Sequence, residues 1–124
     1  MTILSIILVA IVALEHFYFL YLEMFLWTKP KGLKTFGMKI EEAQQTKSLA
    51  ANQGLYNGFL GAGLIWGLLH PDSAVGFQIQ LFFLVCVIVA AVYGGLTVKR
   101  SILTIQGIPA VLALLSVLLF RASL

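Results

Sequence analysis

Residues 10–27, AIVALEHFYFLYLEMFLW, are apolar enough to enter a bilayer, yet they carry Glu15, His16 and Glu23. That conflict constrains the chain more than any other feature. A charged group at the centre of a membrane helix costs roughly 2.5–3.5 kcal/mol on insertion scales. Three titratable groups on one span therefore need partners or water, which an isolated helix in lipid lacks. The sequence predicts membrane helices that pack around a polar site.

The rest of the chain is consistent with this. Of 124 residues, 60% are hydrophobic and only 10% charged. A soluble domain carries about 25% charged residues, so a soluble fold is excluded. Stretches long enough to cross a bilayer occur at about 3–26, 49–69, 75–98 and 102–120. The predicted fold is all-α: a polytopic membrane protein with four transmembrane helices in an up-down bundle, a single domain over residues 1–124.

The connections set the topology. Residues 28–39, TKPKGLKTFGMK, hold Lys29, Lys31, Lys34 and Lys39. Pro30 and Gly32 read as helix stops, so this segment is expected to be an aqueous loop that dips Leu33, Phe36 and Met38 into the interface. Residues 40–51 read as a polar helical segment running into the second span. His70 to Ser73 form a tight turn, and Lys99-Arg100 a short basic one. Seven of the eight lysines and arginines fall in connections 27–49 and 99–100. The positive-inside rule then puts both connections in the cytoplasm and both termini outside, in a multi-pass protein of the cytoplasmic membrane.

That rule also accounts for the net charge of +3, so no nucleic-acid partner is inferred. The first residues lack a basic n-region, and Glu15 and His16 interrupt the apolar core, so a cleaved signal peptide is not expected. Cys86 is the one cysteine and sits in an apolar run, where it reads as a packing residue. No zinc spacing, metal site or cofactor motif is present.

With this topology Glu15 and His16 fall near mid-membrane. Glu23 falls in the cytoplasmic half, level with Asn52, Gln53, Tyr56 and Asn57 on the second span. Tyr93, Thr97, Ser101, Thr104 and Gln106 fall in that half too. At 3.6 residues per turn His16 and Glu23 nearly eclipse, with Glu15 about a quarter turn away. The expected site is a cavity open to the cytoplasm, lined by Glu15, His16, Glu23, Asn52, Gln53, Tyr56, Asn57 and Tyr93. Glu23 would stand near its mouth, and Glu15 and His16 at its floor. An acid and an imidazole so placed can share a proton near neutral pH. Amides and hydroxyls also serve as glue between membrane helices, the role assigned to Gln78, Gln80, Thr104 and Ser116. Tyr18 and Tyr21 read as interfacial or packing aromatics.

Glu15-His16 with Glu23 and Trp27, followed by the run Asn52-Gln53-Gly54-Leu55-Tyr56-Asn57-Gly58, resembles the bacterial membrane-protein family called domain of unknown function 1304. The resemblance covers nearly the whole chain. It implies a small four-helix protein of the bacterial cytoplasmic membrane. It implies no activity and so carries over no catalytic residue.

Four functions are compatible with these residues. The first is binding of a small amphipathic or lipid-like ligand in the polar cavity, with membrane lipid around the bundle. The second is a proton-coupled transporter acting as a homo-oligomer, suggested by a weak likeness to small multidrug transporters with one mid-membrane glutamate. The third is an intramembrane acid–base enzyme, isomerase-like, with Glu15 and His16 as acid and base and Asn57 and Tyr93 orienting the substrate. The fourth is an interaction subunit using the glycine face Gly54, Gly58 and Gly61. No nucleotide-binding loop, metal motif or nucleophile elbow supports another chemistry.

Overall fold

The computed structural model describes residues 2–122, with the side chains of residues 121 and 122 left out. The side chain of Arg121, the eighth basic residue, thus lies outside what is described. The described residues form helices and short connections, with no strand among them.

The first helix, α1 (Ile3–Phe25), is 23 residues long, or about 34 Å of helix, enough for a hydrocarbon core of about 30 Å. Thr2 opens it: its hydroxyl accepts the Ser5 amide at 3.2 Å, as a residue capping a helix start does. A short helix, α2 (Pro30–Phe36), follows where the sequence reading expected a loop. Pro30 starts this helix, because in the first turn its missing N–H has no intrahelical partner to lose and its fixed φ suits a helix. Gly32 is buried inside α2. The residue that ends it is Gly37, at φ 64°, a left-handed value that costs glycine little.

Next comes α3 (Ile40–Leu69), one helix of 30 residues and about 45 Å. The polar segment at 40–51 runs into the apolar one without a break. α4 (Ser73–Thr97) begins after the His70–Asp72 turn. There Asp72 Oδ1 accepts the amides of Ala74 and Val75 at 2.9 and 3.2 Å, and His70 Nδ1 accepts the Asp72 amide at 3.0 Å. Beyond Lys99-Arg100 the chain passes through a π-helical turn, Leu103–Gly107, into α5 (Ile108–Ala122).

Pro109 explains the π turn. Its ring would clash with the carbonyl of Ile105, four residues back, and it has no N–H to donate there. A turn wider by one residue relieves the clash and lets the helix continue.

Among the described residues, three segments are long and apolar enough to cross a membrane: Ile3–Phe25, Ser73–Thr97 and Leu103–Phe120. α3 is longer than any of them, but its polar residues keep it out of that set.

The chain divides into two compact units. One comprises Leu14–Gly61, and the other Met1–Ala13 with Ala62–Leu124. In the second unit, small residues bring helices close. A Cβ on Gly76 would meet the Gly67 carbonyl oxygen at 2.6 Å, and one on Gly95 would overlap the Leu103 side chain. Buried Gln80 donates to the Gly67 carbonyl at 3.1 Å, and Ser116 bonds Ser5 at 3.1 Å. These two side chains act as glue, whereas Gln78 and Thr104 are exposed. An apolar groove in the same unit is lined by Ile88, Ala91, Val92, Leu103, Gly107 and Val111 among others.

Candidate functional site

The unit Leu14–Gly61 carries all but one of the eight side chains expected to line the cavity. Its framework is a glycine column on α3. A Cβ at Gly54 would stand 2.9 Å from Met24 Cγ, 3.0 Å from Glu23 Cβ and 3.3 Å from the Leu20 carbonyl oxygen. A Cβ at Gly58 would stand 2.5 Å from Leu20 Cδ1. The two glycines are one turn apart on one face, and their lack of side chains lets α3 lie against α1 from Leu20 to Met24. The glycine face considered above as a surface for an outside partner is thus already covered at Gly54 and Gly58.

Each glycine is preceded by an amide. Gln53 Nε2 donates to Glu23 Oε2 at 2.5 Å, and Asn57 Nδ2 donates to Glu23 Oε1 at 2.5 Å. Glu23 is 3% exposed, so it is enclosed rather than standing at an open mouth. Both of its carboxylate oxygens have donors. In a region poor in water such pairing offsets the cost of burying a polar group.

The other expected members are placed differently. Asn52 and Tyr56 are exposed, Tyr56 at 58%, with its ring against Phe59 at 5.5 Å. The helix can turn only one face to α1, and the glycines select the face that carries Gln53 and Asn57. Residues 52 and 56 lie about 100° away from it. Tyr93 belongs to the other unit and is 71% exposed on α4, where its carbonyl accepts the Thr97 hydroxyl at 2.7 Å. The structure therefore joins Glu23, Gln53 and Asn57, and brings neither Asn52 nor Tyr56 to them.

Two turns earlier on α1, His16 is fully buried, with its ring edge-on to Phe19 at 5.3 Å. Glu15 is half-buried. One of its oxygens, Oε1, is shielded from solvent and has no hydrogen-bond partner among the described residues. The two glutamates of the span thus differ: each oxygen of Glu23 has an amide donor, and Oε1 of Glu15 has none among the described residues. Among the described residues, no group of three or more His, Cys, Asp or Glu side chains could hold a metal ion.

The sequence reading missed a second fixed point in this unit. Trp27 Nε1 donates to Thr46 Oγ1 at 3.0 Å, and Thr46 donates in turn to the Glu42 carbonyl at 2.9 Å. The Trp27 ring packs on Phe36 at 4.8 Å. Trp27 alone suggests only an interfacial aromatic. Its partner is 19 residues away, and no local pattern points to it.

These features define a class: small all-helical chains with several helices fit to cross a membrane and a carboxylate held between amides of a neighbouring helix. Residues 10–118 match the family model described as protein of unknown function, DUF1304, and the chain belongs to that family. It is 42% identical over 118 residues to the uncharacterized protein YpaA of Lactococcus lactis subsp. lactis, strain IL1403, covering 94% of this chain and 98% of that one. No solved structure gives a significant match.

Proposed function

We propose that the protein is a four-span protein of the cytoplasmic membrane whose site in Leu14–Gly61 binds a small amphipathic or lipid-like molecule, with Glu15 as the contact for its polar head. The observation that carries this reading is the contrast between the two glutamates. A shielded carboxylate oxygen without a donor costs about 1–3 kcal/mol or more, and a ligand that brings an N–H or O–H removes that cost. Glu23, with both oxygens engaged, holds α1 and α3 in register beneath it.

Leu14 and Tyr18, beside Glu15 on α1, are exposed. They offer apolar surface to the body of such a ligand, which accordingly has a donor-bearing head on a hydrophobic tail. The fourth crossing in this reading is α3, and the basic connections 27–49 and 99–100 both face the cytoplasm by the positive-inside rule.

The test is native mass spectrometry of protein released from mild detergent, followed by organic extraction. The reading expects a retained small molecule that is lost from Glu15→Leu, which removes the acceptor, while thermal unfolding of that variant stays close to wild type. A molecule retained equally by Glu15→Leu moves the contact away from this residue. A wild-type protein that carries nothing as a monomer sinks the binding reading, and a ligand-free dimer favours oligomeric transport over it.

A further inference from the structure

We infer that α2 is a rigid docking platform for anionic phospholipid headgroups. This does not rest on the Glu15 reading. The observation behind it is that the basic segment at residues 29–39 is built as a fixed element, although topology alone would require only that its lysines stay on one side.

Several contacts fix α2 in place. Gly32 lies so close to the end of α1 that a Cβ there would overlap the Leu26 carbonyl oxygen. Phe36 packs on Trp27, and Trp27 is in turn bonded to Thr46 of α3. At the far end, the Gly37 and Met38 amides both return to the Leu33 carbonyl, which closes the helix. All of these contacts lie within the unit Leu14–Gly61.

The faces of α2 then separate. At 100° per residue, Gly32, Leu33 and Phe36 fall on one side, and Lys31, Lys34 and Thr35 on the other. On the packed side Gly32 is buried and Leu33 partly so, while Phe36 is exposed at its edge and keeps its ring contact with Trp27; Lys31, Lys34 and Thr35 are exposed, as are the flanking Lys29 and Lys39. The acids nearby, Glu41 and Glu42, sit in the first turn of α3, where they complement that helix's N-terminal dipole. α2 itself has none. The platform comes a few residues after a helix fit to span a membrane, next to Trp27, so its lysines stand at headgroup depth. Their charge complements phosphate, and each lysine near an anionic surface contributes about a fivefold factor to binding.

The full-length protein reconstituted in nanodiscs of phosphatidylcholine mixed with phosphatidylglycerol provides the test. Native mass spectrometry would count the lipids that stay bound on release. The expected result is phosphatidylglycerol retained above its share in the disc, with the excess shrinking as salt rises. Lys31→Gln with Lys34→Gln abolishes the excess, while Lys31→Arg with Lys34→Arg keeps it. Both pairs point away from the packed face, so their thermal unfolding in pure phosphatidylcholine stays at the wild-type value. If the Gln pair unfolds early, Lys29→Gln with Lys39→Gln takes its place with the same expected loss. Wild-type adducts that only mirror the disc composition would overturn the inference, and so would an excess that survives in the Gln variants. Neither result bears on Glu15.

Discussion

At the residue scale the decisive object is the Glu23 carboxylate with its two amide donors. Two magnitudes bear on it. Removing a donor from a buried acceptor costs about 1–3 kcal/mol in soluble proteins, whereas polar contacts between membrane helices average about 0.6 kcal/mol. Glu23 is almost completely enclosed, so the upper part of the membrane range applies. Asn57→Ala should therefore destabilise by about 1 kcal/mol, read as an earlier thermal unfolding in detergent. Gln53→Ala with Asn57→Ala should cost more than the two single changes together, because the pair strands both oxygens. Asn52→Ala, one residue from Gln53 but not one of the two amides that meet Glu23, should stay within about 0.5 kcal/mol of wild type. A large effect at 52 and none at 57 would reverse the assignment of faces. The sequence reading placed Asn52, Gln53, Tyr56 and Asn57 level with Glu23. It did not reveal which amides meet Glu23. That depends on Gly54 and Gly58, whose effect shows only once α1 is set against them.

At the element scale, α2 and the π turn show how far local signals reach. Pro and Gly were read as ending a helix, but Pro30 begins one and Gly32 lies within it. The meaning of Gly32 is tertiary: it is small because the Leu26 carbonyl is there. Gly32→Ala should push α2 off the end of α1, at a cost of about 1–3 kcal/mol typical of overpacking. With Trp66 replaced by Phe, Trp27 becomes the sole tryptophan, and its emission should then shift to the red as Phe36 leaves it. An unchanged spectrum would mean that α2 does not rest on this contact. Gly107 gives the opposite case. A Cβ there meets only the Ala91 Cβ, at 3.5 Å, which is ordinary contact. Gly107→Ala should thus unfold within a few degrees of wild type, although it lies in a π turn. Pro109 was visible in the sequence, but the wide turn it forces upstream was not. Helical periodicity continues across it, and an apolar stretch reads the same with or without one extra residue.

At the scale of the whole molecule, the matter to decide is whether α3 crosses the membrane. A hydropathy average counts Gln53 and Asn57 as polar groups facing lipid, and on that basis α3 falls short of the three other candidates. Yet both amides meet Glu23, so each offsets part of the other's cost of leaving water. Averaging by position cannot register such a pairing, and it understates the fitness of both α1 and α3. The stretch at 49–69 would cover about 31 Å, enough for the hydrocarbon core. If α3 crosses, connections 27–49 and 99–100 share one side, and seven of eight basic residues lie together. If it does not, Lys99 and Arg100 are left opposite the five lysines, against the charge rule. Cysteine labelling in intact cells separates the two cases. With Cys86 replaced by Ser, Lys31→Cys and Lys99→Cys should both resist a membrane-impermeant maleimide until the membrane is opened. Pro71→Cys, in the exposed turn between α3 and α4, should react at once. Matching behaviour at positions 31 and 71, with position 99 opposed, would remove α3 from the crossings and leave three.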